Sequence, residues 1–187
     1  EALTTVGAGM FIGQAGSPVQ TVVKDGDIAP GTGGGTFTHV LASGSLGLSA
    51  DVYINNESDV LLRSRVTGGS ADSGLFRQLA GGALQSIAVQ GQALPGGLGA
   101  LSTISAATTP GISYALGDNG EAGLINAFTN AGGFRRQGVF GIRRDGTFVG
   151  ILVPGDSVPG TGSGALSSMS ASLTSNGSGA FAFLANG

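Results

Sequence analysis

Three short motifs recur along this chain in a fixed order, and their spacing constrains the fold more than any other feature of the sequence. The first is Gly-x-Phe, which ends at Phe11, Phe76 and Phe140. The second is Gly-x-x-x-Pro-Gly, whose proline lies 19 residues after that phenylalanine in every copy, at Pro30, Pro95 and Pro159. A constant spacing between two motifs predicts a chain built from structural repeats.

The third motif is an asparagine four to five residues before an apolar run, at Asn56, Asn119 and Asn176. Asn119 precedes the Gly-x-Phe of its own copy by 19 residues, but the sequence reaches Gly187 before Asn176 meets such a motif. If the count from Asn176 continues past Gly187 to Glu1, it reaches Gly9 at step 20. The two ends are therefore interpreted as halves of one repeat.

The local signals inside a repeat are those of β-strands. In the third copy, two apolar stretches flank Asp145-Gly146, which is a strong signal for a hairpin with a two-residue type I′ turn. Gly16-Ser17 and Gly81-Gly82 lie at the same step after the phenylalanine of their copies. The Pro-Gly motif that follows cannot continue a sheet, since proline lacks a donor and glycine weakens a strand, so it is predicted to leave the sheet.

These signals predict an all-β fold of three four-stranded repeats, each about 62 residues long, in a pseudo-threefold, propeller-like arrangement. We expect a single domain over residues 1–187, with one repeat split between the termini (176–187 plus 1–55) and two continuous repeats (56–118 and 119–175). Equivalent steps of the repeats predict the core residues Phe11, Phe76 and Phe140, with Val22, Ile87 and Ile151 on the following strands.

The way in which the split repeat closes stays open at this point. Propellers have about four to eight blades, so three sheets are too few for a simple ring. The alternatives are a compact three-sheet assembly, two chains forming a six-bladed ring, or a strand donated by a neighbouring subunit, which generates a ring or a filament. In each case, residues near Met10 are expected to pair with residues around Phe181.

Composition excludes several classes of function. Only 10% of the residues are charged and the single lysine is Lys24, so no basic surface is available for nucleic acid. The sequence has no cysteine, which excludes disulfides and thiolate metal sites, and no apolar run approaches the roughly 18 residues of a membrane span. The low charge, the abundant glycine and the first residue, Glu1, favour a processed extracellular or cell-surface protein.

One family carries similar motifs. The segment from Asn176 to Phe183 resembles the N-x-x-G-x-x-A-F signature of bacterial exported tandem-repeat proteins, which often carry a variable C-terminal sorting anchor. Gly155-Asp-Ser-Val-Pro-Gly-Thr-Gly162 is similar to the other half of their repeat, whereas the other copies place Asp59 and Ala122 where Gly179 stands. The resemblance implies export and a β-repeat architecture, and it implies no reaction.

No residue is assigned a catalytic, cofactor-binding or metal-binding role. The single histidine, His39, has no second histidine or cysteine near it in sequence and is interpreted as a strand-face residue. Asp25, Asp27 and Asp156 could supply oxygen ligands to calcium, but Gln92 occupies the equivalent place in the second copy, which favours a turn role. The three motif asparagines are likewise expected to form Asx-turns before strands.

Two classes of function follow. The leading hypothesis is a non-enzymatic extracellular structural protein that forms homo-oligomers through strand pairing at the split repeat, and the alternative is a carbohydrate-binding module that recognises a surface glycan. Trp is absent, and only Tyr53 and Tyr114 could stack on a sugar. A group of arginines in the third copy could meet an acidic glycan or the Glu1 end of a neighbouring chain, although a solvated strand edge is favoured. These arginines are Arg135, Arg136, Arg143 and Arg144.

Overall fold

A computed structural model of the chain describes residues 9–38, 51–105, 113–157, 165–166 and 168–186. Within these residues the protein is all-β, and the only helical element is a single 3-10 turn at Pro95–Gly97. The strands in chain order are β1 (Gly9–Ile12), β2 (Gln20–Lys24), β3 (Thr36–Thr38), β4 (Val52–Ile54), β5 (Val60–Thr67), β6 (Ser73–Gln78), β7 (Leu84–Val89), β8 (Ala100–Leu101), β9 (Ser113–Leu116), β10 (Ala122–Thr129), β11 (Arg135–Ile142), β12 (Phe148–Leu152), β13 (Ser168–Ser175) and β14 (Phe181–Asn186).

The strands form four antiparallel sheets. Sheet I is the pair β1-β2, and sheet IV is the pair β13-β14. Sheet II has the order β3-β5-β6-β7, with β4 beside the other half of β5, and sheet III has the order β8-β10-β11-β12, with β9 beside the other half of β10. Sheets II and III are thus built on one plan of five strands, so the predicted four strands are wrong, because two short strands share one edge of β5 and of β10. In the described part of the chain, sheets I and IV each contain only part of this plan.

The Pro-Gly motif carries the chain from one sheet to the next, as the sequence predicts. It lies between β2 of sheet I and β3 of sheet II, and again between β7 of sheet II and β8 of sheet III. The third copy, at Pro159-Gly160, lies outside the described residues. In both described copies the first glycine of the motif donates its N–H to the strand beyond the motif, from Gly26 to Phe37 O and from Gly91 to Leu101 O, both at 2.8 Å. The motif therefore closes a turn that sends the chain into the neighbouring sheet.

The sheets pack face to face in the order I, II, III and IV. Met10 and Val23 of sheet I meet Leu62 and Phe76 of sheet II in one core cluster. A second cluster joins sheets II and III, and its members include Leu61, Leu75, Leu124 and Phe140. A third cluster joins sheet III to sheet IV, and its members include Ile125, Val139, Met169 and Leu173. Alternation along β5 explains this order, because Leu61 and Leu62 point to opposite faces of the sheet.

The predicted hairpins form, but the predicted type I′ turn at Asp145-Gly146 is wrong. Type I′ needs positive φ at both central residues, and Ser58 is the only non-glycine residue with positive φ in the described part of the chain. Gly146 alone is left-handed, with φ +88°, and its N–H bonds to Arg143 O at 2.9 Å. The connection is therefore a longer loop in which Gly146 relieves the strain after an ordinary turn.

The core prediction is confirmed in part. Phe76 and Phe140 are fully buried and Ile87 is buried, but Phe11 is 57% exposed and Ile151 is 39% exposed. Val22, Ile87 and Ile151 all lie at a register shift of their hairpins, where one residue is left without a partner across the ladder. Phe11 is exposed because it points to the opposite face of β1 from Met10, which packs on sheet II, and no sheet of the described chain covers that opposite face.

The predicted pairing between the two ends of the chain is not formed within one molecule among the described residues. There β1 pairs with β2, and β14 pairs with β13, and each keeps its other edge free. Closure within a single chain is therefore not observed in this part of the structure, and closure between two chains stays a prediction.

Candidate functional site

The turns before β5, β10 and β14 share one backbone pattern. Each turn closes with an N–H to C=O bond across four residues, from Asn55 to Asp59, from Gly117 to Glu121 and from Asn176 to Ala180. Each also has a left-handed residue at the same step, namely Ser58 (φ +65°), Gly120 (φ +78°) and Gly179 (φ +84°). The position of Gly179 is thus matched by Ser58 and Gly120, so the sequence-based assignment of Asp59 and Ala122 to that position is wrong by one and two residues.

This alignment also corrects the expected Asx-turns. Asn176 Oδ1 accepts the N–H groups of Ser178 and Ala180, and Asn119 Oδ1 accepts the N–H of Glu121, so both predictions are confirmed. In the first of these turns the capping residue is Asn55, whose Oδ1 accepts two N–H groups, at 3.1 and 2.8 Å. Asn56 does not cap the turn, because its side chain reaches the neighbouring sheet.

Asn55 and Asn56 connect the turns of sheets II and III. Asn56 donates to the Asp118 carboxylate twice, from its backbone N–H at 3.0 Å and from its side-chain amide at 2.7 Å. The same two bonds lower the pKa of the Asp118 carboxyl group. Asn55 Nδ2 donates to Gly117 O at 2.8 Å. The next joint has its own bond, since Ser175 Oγ of sheet IV donates to Leu116 O of sheet III at 2.8 Å.

Arg77 is the central polar residue of the joint between sheets II and III. It extends from the end of β6, is 1% exposed, and donates to three backbone carbonyls of sheet III. Nη1 bonds to Gly120 O at 2.7 Å and to Arg143 O at 3.0 Å, while Nη2 bonds to Arg144 O at 2.8 Å. Burial lowers the pKa of the Arg77 guanidinium, and the nearby Asp59 carboxylate opposes that shift. The planar fork of arginine suits this role, because it reaches several acceptors with a fixed geometry.

Asp59 completes the joint from the other direction. Its fully buried carboxylate accepts the N–H of Ala80 at 2.7 Å and the side-chain amide of Asn55 at 3.1 Å. Arg144 of sheet III lies 3.5 Å from the same carboxylate and also donates to Asn119 O at 3.1 Å. The half-exposed Arg144 thus compensates the charge of the buried Asp59 carboxylate, and each sheet contributes one member of this ion pair.

The turn role predicted for Asp27 and Asp156 is confirmed. Asp27 Oδ2 accepts the N–H of Lys24 and Asp156 Oδ2 accepts the N–H of Val153, each at 2.8 Å. Gln92 Oε1 accepts the N–H of Val89 at 3.0 Å, so glutamine performs the same task in the second copy. The described residues contain no group of three His, Cys, Asp or Glu side chains that could hold a metal ion.

The four arginines of the third copy do not form one group. Arg135 and Arg136 begin β11, whereas Arg143 and Arg144 follow its end, so the strand separates the two pairs by about 23 Å at roughly 3.3 Å per residue. Arg136 stacks over Phe134 at 5.6 Å. Arg144 belongs to the joint described above, and a single binding surface made of all four side chains is therefore wrong.

The two tyrosines face the joint between sheets II and III. Tyr114 is buried and donates its hydroxyl to Ser105 O, and burial raises the pKa of this hydroxyl group. Arg63 and Asp51 form an ion pair at 3.3 Å nearby. Tyr53 packs partly buried against the same core. Because it is buried, Tyr114 is unable to stack on a surface sugar. Glycan binding stays a prediction, and Tyr114 does not support it.

Sequence reasoning missed Arg77 and Asp59. A signal for Arg77 exists, because an arginine directly after Leu75-Phe76 in a buried strand must find several acceptors. His39 lies outside the described residues. Among the described residues, no helix has the length and apolarity to cross a bilayer.

Comparison with known proteins identifies a family. The model of a family of unknown function, DUF7453, covers residues 2–187, and the chain therefore belongs to the DUF7453 family. No curated protein and no solved structure matches the chain.

Proposed function

We propose that this DUF7453 protein is a non-enzymatic structural subunit of the bacterial exterior, which assembles by pairing β14 of one copy with β1 of the next. The observation that carries the proposal is that the described part of the chain contains two partial sheets, I and IV, whose unpaired edges there correspond to neighbouring strands in sheets II and III. The extracellular location rests on the family resemblance and the low charge, and it is part of the proposal.

Sheets II and III provide the template for the missing contact. The strand after the asparagine turn, β5 or β10, pairs with the strand that carries Gly-x-Phe, β6 or β11. In both sheets the phenylalanine lies opposite the third residue of its partner strand, as Phe76 lies opposite Leu62 and Phe140 opposite Leu124. The same register places Phe11 of one copy opposite Phe183 of another. The joined strands would form a third sheet of the same plan, which is the threefold repeat that the sequence predicts.

The exposure of two apolar residues supports this contact. Phe11 is 57% exposed although its counterparts Phe76 and Phe140 are fully buried. Leu184 is 64% exposed although its counterpart in sheet III, Ile125, is fully buried. In the joined sheet, Phe11 would lie on the face covered by sheet III of one copy and Leu184 on the face covered by sheet II of the other. Burial of such a side chain contributes roughly 1.5–3 kcal/mol.

The contact is head-to-tail, so it extends until it closes. Two chains would give a six-sheet, propeller-like ring, and a rotation that does not close would give a filament. Neither product requires sheet I or sheet IV to leave its present position, because each already packs on its own molecule through one face.

Mass photometry and negative-stain electron microscopy over a concentration series test the proposal. The wild-type chain is expected to form rings or filaments, and Phe11→Asp or Leu184→Asp should leave monomers. Phe134→Asp is the matched control, because Phe134 is also 63% exposed but lies in the turn between β10 and β11. A wild-type protein that stays monomeric at high concentration would refute the assembly.

Cysteine cross-linking tests the register, and the chain has no native cysteine to interfere. By the template, Ala182 lies opposite Ile12, as Leu61 lies opposite Arg77. Ala182→Cys mixed with Ile12→Cys should give a disulfide-linked dimer under mild oxidation. Ala182→Cys mixed with Phe11→Cys should not, because Phe11 points to the opposite face. If the disulfide does not form between two singly substituted chains, but forms when Ala182→Cys and Ile12→Cys are combined in one chain, the split repeat closes within a molecule and assembly is contradicted.

A further inference from the structure

A cavity of about 480 Å³ lies between sheets I and II, at the end where their turns meet. Its walls include the turn between β1 and β2, the turn before β5, and the turn between β6 and β7. The lining combines apolar Ile12 and Leu79 with amide and hydroxyl groups from Gln14, Gln20, Gln78 and Ser58.

The corresponding place between sheets II and III is occupied by the Arg77 side chain. Phe11 and Phe76 are matching residues of the Gly-x-Phe motif, so Ile12 stands where Arg77 stands one sheet later. The turns correspond as well. Gly120 and Arg143 each accept a hydrogen bond from Arg77 through the backbone carbonyl, and their counterparts beside the cavity are Ser58 and Leu79. An isoleucine in place of an arginine leaves this space open and supplies no donor.

The carbonyl acceptors are retained where the backbone is the same. Ser58 and Gly120 share the left-handed conformation, with φ values of +65° and +78°. Leu79 O accepts the N–H of Gly82 at 2.8 Å, just as Arg143 O accepts the N–H of Gly146 at 2.9 Å. The third acceptor of Arg77, Arg144 O, has no such match, since the left-handed residue of the earlier turn, Gly81, lies one step earlier than Gly146. Two of the three carbonyl acceptors of Arg77 thus have counterparts beside the cavity, in Ser58 and Leu79.

We propose that this cavity is a binding site for a guanidinium group, formed by the carbonyl oxygens of Ser58 and Leu79 with the side-chain oxygens of the surrounding glutamines. A planar cation with several N–H donors satisfies acceptors that converge in this way, as Arg77 does in the next joint. The buried Asp59 carboxylate adds a negative charge behind the wall, since it accepts the N–H of Ala80, a residue that lines the cavity. The ligand class is therefore a compact molecule that carries a guanidinium group.

Backbone amide chemical shifts measured by NMR during titration with methylguanidinium test the site. We expect saturable shifts at Ser58, Leu79, Ala80 and Gly81, and none from N-methylurea, which has the same planar shape but no charge. Ile12→Arg should fill the cavity from within, abolish the methylguanidinium shifts and raise Tm by about 2–4 °C for roughly 1 kcal/mol gained. Ile12→Met, which has a similar reach and no charge, should keep the shifts.

Arg77→Ala provides a positive comparison, because it empties the matching space with all of its acceptors in place. Methylguanidinium should restore part of the thermal stability lost in Arg77→Ala, and N-methylurea should not. The proposal is overturned if the wild-type cavity shows no saturable shifts, if N-methylurea shifts the same amides equally, or if folded Ile12→Arg binds methylguanidinium as well as the wild type does. If Arg77→Ala does not fold, the titration of the wild type still decides.

Discussion

Replacement of Arg77 by methionine tests the polar joint between sheets II and III. Methionine keeps most of the length and the apolar stem of the side chain, but it removes every donor of the guanidinium. Gly120 O and Arg144 O then lose the bonds they accept from Arg77, at 2.7 and 2.8 Å, whereas Arg143 O keeps the N–H of Gly146. The perturbation is therefore confined to one buried and one partly buried carbonyl group and to one charge beside Asp59.

The expected loss follows from these contacts. Loss of the partner of the buried Gly120 O costs about 1–3 kcal/mol, and the partly buried Arg144 O adds a smaller cost. Methionine also removes the cost of desolvating a guanidinium, which offsets part of this loss. We expect Arg77→Met to lower the free energy of unfolding by about 1–4 kcal/mol, a sizeable share of the roughly 5–15 kcal/mol of a typical domain.

Urea denaturation followed by circular dichroism measures this loss by linear extrapolation. Arg65→Met is the matched control, since Arg65 is exposed on β5 and its replacement should change stability by no more than about 0.5 kcal/mol. Arg77→Lys should fall between the two, because an ammonium group keeps the charge but cannot span the same acceptors. A loss below about 1 kcal/mol for Arg77→Met, at an unchanged dependence on urea, would show that Arg77 does not hold the sheets together.

Three further outcomes are expected. Phe140→Ala should cost about 3–5 kcal/mol in urea denaturation because Phe140 is fully buried, whereas Phe11→Ala should cost less than about 1 kcal/mol in dilute solution; equal losses would contradict the exposure of Phe11. Because the pKa of Asp118 is lowered in the folded state, its contribution to stability is present above the ordinary carboxyl pKa and is lost as pH falls through the lower folded value. Between pH 6 and 2, the free energy of unfolding should therefore depend less on pH for Asp118→Asn than for the wild type. Gly120→Ala should destabilise the joint by more than about 1 kcal/mol, because a Cβ there would lie 2.6 Å from Arg144 Nη1 in a left-handed conformation; thermal unfolding that matches the wild type would refute this.

The sequence was sufficient to predict those features that depend on one segment of chain. The hairpins, the first two Pro-Gly connections and the turn role of Asp27 and Asp156 follow from local chemistry, and the structure contains them. The number of strands does not follow from it, because β3 and β4 both pair with β5 and only the neighbouring strand shows this. Even the replacement of Asp by Gln92 is explained locally, since both side chains offer an oxygen to an N–H three residues earlier.

Features that depend on the neighbouring sheet were not predicted. Asn55 and Asn56 are identical in type, and only the position of Asp118 across the joint decides which of them caps the turn and which bonds outward. The partners of Arg77 are 43 to 67 residues away, so spacing within one repeat does not reveal them. The exposure of Phe11 has the same origin, because a motif identifies a strand but not the sheet that packs on each of its faces.

The chemistry of the free edges also predicts how assembly responds to salt. The paired strands would be Gly9–Ile12 and Phe181–Asn186, and neither contains a charged residue. Backbone hydrogen bonds and apolar burial would then provide the contact, so ammonium sulfate should strengthen assembly, and sodium chloride up to about 0.5 M should leave it nearly unchanged. Contacts between the arginines near β11 and the Glu1 end of another copy would behave in the opposite way, because salt screens exposed charges. Mass photometry at fixed protein concentration distinguishes strand pairing from these charged contacts. Loss of the oligomer as the sodium chloride concentration increases would refute assembly through β14 and β1.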